Sequence, residues 1–236
     1  MLLSIRALLL SFISILACAQ SQGQASAGPG EDAGGAAREP DSPVVTFTLD
    51  FPDSQPEHYS IRVPVEGLAH YRSTGRISRD SDKTDTFEFD FALSAAARDK
   101  IFRLSTSAHH FRSELDSHQK NLAFTGKKTL TYKDARETGE GSFNYSSNPS
   151  VRELTELFQN LSVTLEFGHR LDYDHRYQKL ALFDELKQME QLAQQKELIE
   201  VVAIQPILEQ IVADQSVINV ARSRAQQLLQ GPGGGR

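Results

Sequence analysis

Histidines and carboxylates lie close together at two places in the chain, and these are side chains that bind Zn²⁺. The first group combines three imidazoles with two carboxylates: His109, His110, Glu114, Asp116 and His118. None of its spacings matches a recognised set of zinc ligands, and it lies where a predicted helix runs into a polar loop. We therefore favour a solvated loop, and keep the three histidines as the metal candidates of this segment.

The second group, Glu166, His169, Asp172 and His175, follows three-residue steps along one predicted helix. Glu166 and His169 are similar to half of a di-iron bundle site, in which a Glu-x-x-His pair supplies ligands. Such a site needs a second pair and carboxylates from further helices, and the sequence offers neither. Residues three positions apart are neighbours on a helix, so we predict ion pairs within the helix in place of metal binding by Glu166, His169 and His175.

Motifs for a nucleophile or a phosphate loop are missing from the sequence. It lacks Gly-x-Ser-x-Gly and His-Glu-x-x-His. Gly126-Lys127-Lys128-Thr129 has the letters that end a phosphate loop, but it lacks the preceding glycine and lies inside a strand pattern. The formal net charge is −6, without a stripe of Lys and Arg, which argues against a nucleic-acid partner. We expect a non-catalytic protein without a cofactor.

The predicted secondary structure changes from mainly strands to helices near residue 148. Before it, apolar and polar residues alternate as in strands with one wet face, most clearly from Phe87 to Leu93. Ser94 is a predicted N-cap for a helix with an apolar stripe, and a further strand is expected from Leu122 through Phe124 to Tyr132. We predict an α+β fold, with a mostly antiparallel sheet and one packed helix over residues 43–147.

From residue 148 to residue 230 the apolar period becomes helical, which predicts a C-terminal all-helical region of about four helices. Ser150 and Glu153 have the spacing of a capping box at its start. Pro206 is expected to interrupt the third helix, over residues 197–213, because proline lacks the backbone N–H that a helix interior needs.

The last two helices resemble a single HEAT-type repeat. Pro206-Ile207-Leu208-Glu209-Gln210-Ile211 matches the proline-bearing first helix of that family, and Asp214 matches its turn. The small and apolar face of the second helix is matched by Val217, Ala221, Ala225 and Leu228. Ile218 departs from the family, which has an arginine there. No second copy lies upstream, and a solenoid needs several repeats, so a plain helical hairpin is the alternative.

Residues 1–19 have the three parts of a bacterial export signal: Arg6, an apolar run and small residues at the end. Cys18 is the only cysteine. It either leaves with a signal cut after Ala19, or becomes the lipidated first residue of a lipoprotein. Residues 20–42 have the composition of a disordered tether, and residues 231–236 that of a disordered tail. We expect an exported protein of the periplasm or cell envelope, with a membrane contact only through such a lipid anchor.

Most of the mature chain is similar to an uncharacterised family of exported bacterial proteins. The resemblance rests on three segments, Phe87-Glu88-Phe89-Asp90-Phe91-Ala92-Leu93-Ser94, Ala123-Phe124-Thr125-Gly126-Lys127-Lys128-Thr129-Leu130-Thr131-Tyr132 and Leu165-Glu166-Phe167-Gly168-His169-Arg170-Leu171. It implies no activity. We expect a protein-interaction or scaffold module whose helical region contacts another envelope protein. The alternatives are a metal-dependent or other hydrolase with a site assembled from distant residues, and a small-ligand carrier with a pocket beneath Phe87, Phe89 and Phe91.

Overall fold

A computed structural model of the chain describes residues 42–52, 54–76 and 84–231. Six strands form one antiparallel sheet in the spatial order β4-β3-β2-β1-β5-β6. The strands are β1 (Val44–Asp50), β2 (His58–Pro64), β3 (Ala69–Arg76), β4 (Thr84–Phe91), β5 (Lys127–Lys133) and β6 (Thr138–Phe143). The predicted antiparallel sheet is confirmed. The predicted export signal and Cys18 lie outside the described residues.

One face of the sheet is apolar and the other is wet. In the middle of the sheet, Phe47 of β1 stands opposite Ile61 of β2 and Leu130 of β5. All three side chains are fully buried, whereas Thr46 and Thr48 on either side of Phe47 are partly exposed. Successive side chains of a strand point to opposite faces, so the alternation in the sequence corresponds to one buried face.

Two helices cover this apolar face, where the sequence predicted one. Helix α1 (Ala95–Ser107) begins after the predicted cap, since the Ser94 hydroxyl accepts a hydrogen bond from the Ala97 N–H at 3.2 Å. Helix α2 (Pro149–Tyr177) also lies on the sheet, and its Phe158 ring stacks on Phe47 with centroids 5.2 Å apart. The long apolar stripe of α2 therefore completes the core of the sheet.

Three further helices follow: α3 (Leu182–Gln195), α4 (Gln205–Ala213) and α5 (Asn219–Gln230). Their buried side chains belong to the same apolar core as those of the sheet and α2. The α+β class with a helical C-terminal region is therefore confirmed. Within the described residues, every helix is too short or too polar to cross a membrane.

Two predictions about helix ends are wrong. Asn148, in place of Ser150, caps α2: its side-chain Oδ1 accepts from the Ser150 N–H at 2.9 Å. Pro206 lies in the first turn of α4, where a missing N–H costs nothing. Residues 197–204 form no α-helix, and a 3₁₀ turn over Val201–Ile204 leads into α4.

The strand predicted from Leu122 to Tyr132 is confirmed only in its second half, because β5 begins at Lys127. Leu122 and Phe124 are 44% and 59% exposed. Their alternation with polar residues has the period of a strand, but this segment pairs with no strand among the described residues. Alternation alone does not make a strand without a neighbour to complete its ladder.

Candidate functional site

Two cavities lie between the sheet and α2, separated by a stacked pair of rings. Phe87 of β4 and His169 of α2 face each other with centroids 4.0 Å apart and planes 2° from parallel. Both residues line a cleft of about 620 Å³ and a second cavity of about 300 Å³. The ring pair is therefore a wall shared by the two spaces.

We call the larger space the acidic cleft. Its ionisable wall residues include four carboxylates and one guanidinium: Asp85, Glu166, Asp174, Glu185 and Arg170. Most come from one face of α2, because residues 166, 169, 170, 173 and 174 recur at the three- and four-residue spacing of a single helix stripe. Ser73 of β3 and Pro56 of the β1–β2 connection also line the cleft.

Glu166 lies at the inner end of the acidic cleft and is held ionised. The Tyr71 hydroxyl donates to its Oε1 at 2.7 Å, and His169 Nδ1 lies 4.0 Å from its Oε2. Burial alone would raise the pKa of the Glu166 carboxyl, but hydrogen bonds from His169, Tyr71 and Ser73 outweigh it and hold that pKa below its ordinary value. Burial and the nearby Glu166 charge raise the pKa of Tyr71, which therefore stays protonated as the donor.

Asp174 stands further along the same helix face and has a different environment. Its residue is 8% exposed. Burial raises the pKa of its carboxyl, the Glu185 charge adds to this, and the Arg170 charge opposes it. Arg170 Nε donates to Glu185 Oε2 at 3.2 Å, so the guanidinium is directed to the other carboxylate. Asp174 thus feels the Arg170 charge but is not its hydrogen-bond partner.

The smaller space, which we call the apolar cavity, lies on the other side of the ring pair. It is lined largely by Phe89, Leu165, Ile204 and Ile207. Gly168 allows α2 to approach the 3₁₀ turn before α4, since a Cβ at this position would lie 2.5 Å from Ile204 Cγ2. This space is lined by Phe87 and Phe89, two of the three rings under which the sequence placed a possible ligand pocket.

The second predicted group is divided between several contacts. Glu166 and His169 approach each other within α2, as predicted. Asp172 pairs with Arg176 at 2.8 Å and takes no part with the histidines. His175 was expected to pair within the helix, but its Nε2 lies 2.9 Å from Asp214 at the end of α4. Lys179 and Ser216 also donate to Asp214, so this cluster ties α2 to the α4–α5 turn.

The first predicted group is not brought together either. His109 and His118 are exposed, and His118 Nδ1 lies 3.7 Å from Asp116. His110 is partly buried, with its ring stacked on Tyr132 at 3.9 Å and its Nδ1 in contact with Glu137. Over the described ranges, no three His, Cys, Asp or Glu side chains are grouped so that they could hold a metal ion.

His110 nevertheless lies between a hydroxyl and a carboxylate, the order found in hydrolytic triads. Its Nε2 is 3.3 Å from Thr106 Oγ1, and its Nδ1 contacts Glu137. However, the Thr106 hydroxyl donates its proton to the Phe102 carbonyl at 3.0 Å, so it accepts from His110 and is not activated by it. His110 is better described as a structural contact of this exposed turn.

The same turn is strained, because His109, His110 and Phe111 have φ values of +52°, +51° and +62°. Gly139 of β6 accommodates it. A Cβ at Gly139 would collide with the His110 carbonyl oxygen. The strained turn thus packs directly on the sheet edge, where the stacked His110 ring holds it.

Lys128, from the segment with phosphate-loop letters, is buried among oxygens of its own chain. It is 5% exposed. Its Nζ donates to Thr125 O at 3.1 Å, Thr125 Oγ1 at 2.9 Å, Gly126 O at 3.2 Å and Asn144 O at 3.0 Å. Burial lowers the pKa of this ammonium. Because its donors are occupied, it serves the fold of the 117–126 loop and not a phosphate.

Sequence reasoning missed most of the acidic cleft. Glu166 and His169 were named as metal candidates, while Tyr71, Arg170, Asp174 and Glu185 were not named as site residues. The spacing of the polar residues on α2 was the available signal, since Glu166, Arg170 and Asp174 recur at four-residue steps as core residues do.

Neither a protein-family model nor a curated protein matches the chain.

Proposed function

We propose that this chain is an exported, non-catalytic binding protein that holds a small organic ligand in the acidic cleft. The observation that carries this proposal is a preformed cleft of about 620 Å³ that is lined by a stacked ring pair and by fixed polar groups. Small-molecule sites are typically clefts of about 300 to 1,000 Å³ with a few placed polar groups. The export signal predicted from residues 1–19 supplies the location.

The protonation states at the inner end of the cleft support binding over turnover. A general acid or base works best with a pKa near the operating pH. Here the pKa of Glu166 is lowered and that of Tyr71 is raised, so both move away from that range. Glu166 and Tyr71 are also bonded to each other. These groups suit a rigid polar wall and not proton transfer.

Ligand-observed NMR with the full chain and a diverse fragment set tests the proposal. We expect hits whose saturation transfer is lost in His169→Ala and Tyr173→Ala, which remove two walls of the acidic cleft. Tyr145→Ala is the matched control, because Tyr145 is an exposed tyrosine that lies outside the cleft lining. An absence of hits, or hits that survive both wall variants, would contradict a binding function at this place.

A contact with another envelope protein is the second candidate, and one observation favours it. Tyr173 and Tyr177 at the C-terminal end of α2 are 50% and 70% exposed, and Leu180, just after the helix, is 79% exposed. The two tyrosine rings pack against each other with centroids 5.1 Å apart. A photo-crosslinking side chain at Tyr177 in the native host should capture one envelope protein, whereas recovery of the chain alone would contradict this candidate.

A further inference from the structure

Among the described residues that line the acidic cleft, four carboxylates, Asp85, Glu166, Asp174 and Glu185, face one guanidinium, that of Arg170. Glu185 accepts from Arg170 at 3.2 Å, and Glu166 accepts from Tyr71 at 2.7 Å. Asp85 accepts from the Thr86 backbone N–H at 2.9 Å. Each of these three carboxylates therefore has a hydrogen-bond donor. Anionic ligands would meet a surplus of negative charge here.

Asp174 is the fourth carboxylate that lines the acidic cleft. Within the described parts of the chain, its side chain accepts no hydrogen bond and lies in no ion pair, although the residue is only 8% exposed and lines the cleft. The carboxylate oxygens are not fully enclosed, so they open onto the cleft, where water or a bound molecule must solvate them. The missing donor is one that a bound molecule can supply.

The chemistry of the walls restricts that molecule. A metal ion would need further carboxylates, but Glu166 and Glu185 are bonded to other groups, and no three metal-ligating side chains come together in the described ranges. An ammonium needs only one carboxylate as its charge partner. The rings of Phe87 and the half-exposed Tyr173 offer apolar contact and π faces, which attract organic cations.

We propose that the acidic cleft binds a small organic ammonium ion, an amine carried on an apolar or aromatic body, with its N–H groups donated to the Asp174 carboxylate. This inference rests on the proposed binding function and names the ligand class. The amine lies at the Asp174 end of the cleft and its apolar body lies against the Phe87 and Tyr173 rings. Glu166, already bonded to Tyr71, forms the far wall.

Three indole probes test the charge requirement with the full chain. Tryptamine, tryptophol and indole-3-propionate share a ring and a short chain, but end in an ammonium, a hydroxyl and a carboxylate. The protein contains no tryptophan, so indole fluorescence anisotropy reports the probe alone. We expect tryptamine to bind at least about tenfold more tightly than tryptophol, and indole-3-propionate to bind more weakly than either.

Asp174→Asn keeps the size of the side chain and removes its charge. We expect it to weaken tryptamine binding by about 10- to 100-fold and to leave tryptophol binding unchanged. Asp184→Asn is the matched control, since Asp184 is an exposed α3 residue outside the cleft lining and its loss changes the net charge equally. Thermal unfolding of each variant establishes that it is folded.

The outcomes separate this inference from the proposed function. Equal binding of tryptamine and tryptophol, or unchanged tryptamine binding in Asp174→Asn, overturns the ammonium assignment while ligand binding at the cleft stands. Equal losses in Asp174→Asn and Asp184→Asn overturn it as well, because the effect would then belong to net charge. If no probe binds and the fragment set gives no hits, both the inference and the proposed function fail.

Discussion

Lys128 and Asp174 are two buried charges in one chain, and their surroundings are opposite. Lys128 is 5% exposed and donates to four oxygens of its own chain. Asp174 is 8% exposed and accepts from none of the described residues. Burial penalises the charged form of both, since it lowers the pKa of Lys128 and raises that of Asp174.

The difference lies in whether the fold completes the polar surroundings of the charge. Around Lys128 every acceptor comes from Thr125, Gly126 and Asn144, the residue after β6, so the lysine links these two segments of the chain. Around Asp174 the helix face opens into a cleft, and Arg170 is directed to Glu185. A charge that its own fold satisfies stabilises that fold, whereas a charge left unsatisfied is available to a ligand.

The largest effect is expected from Lys128→Met. The substitution keeps much of the buried chain but leaves the carbonyls of Thr125, Gly126 and Asn144 without their donor. We expect the free energy of unfolding to fall by about 3 kcal/mol, measured by urea denaturation. Lys127→Met is the matched control, because Lys127 is the exposed neighbour on the same strand. Similar losses in the two variants would break the comparison.

Asp174→Asn should change stability in the opposite direction and by less. Removal of a buried charge that has no hydrogen-bond donor relieves its desolvation penalty, and the smaller cost of a buried amide remains. We expect the free energy of unfolding to rise by about 1 kcal/mol without ligand, again from urea denaturation. A destabilisation of this variant would mean that the fold does satisfy Asp174, and the contrast with Lys128 would disappear.

The smallest expected effect is a pH dependence of the stability that Asp174→Asn gains. The folded-state pKa of Asp174 is raised above its ordinary value of 3.8, first by burial and then by Glu185, with Arg170 opposing. Its contribution to stability is therefore present below the unfolded-state pKa and lost as the pH rises through the folded-state pKa. The advantage of Asp174→Asn over the unsubstituted chain should grow from about pH 4 to about pH 7, and a constant difference would contradict the assignment.

The sequence predicts much of this fold because local pattern and burial agree there. Alternation around Phe47 and Tyr59 corresponds to strands with one buried face, and Ser94 caps a helix as expected. Prediction from the sequence fails where a residue's contact partner lies far away in the chain. Phe124 has the alternation of a strand but pairs with no strand in the described ranges. Pro206 lies in the first turn of α4, although the longer apolar pattern around it predicted that it would interrupt a helix.

The acidic cleft could not be predicted in the same way, because distant segments create it. Asp174 has the sequence context of an ordinary polar position on a helix, and its burial arises only when the sheet and α3 pack around α2. Tyr71 and Glu166 are 95 residues apart in the chain. Only the four-residue recurrence of Glu166, Arg170 and Asp174 on the side of α2 that also carries His169 indicated that a polar face would be enclosed.

The stacking of Phe158 on Phe47 also limits how the gene for this protein can be divided in evolution. Helix α2 packs on the apolar face of the sheet. Its Leu165 and Leu171 belong to the same core as the buried side chains of the later helices. A gene fragment that encoded either half alone would produce a chain with an uncovered apolar face, a target for chaperones and proteases. We therefore expect the two halves to be acquired, duplicated or lost together.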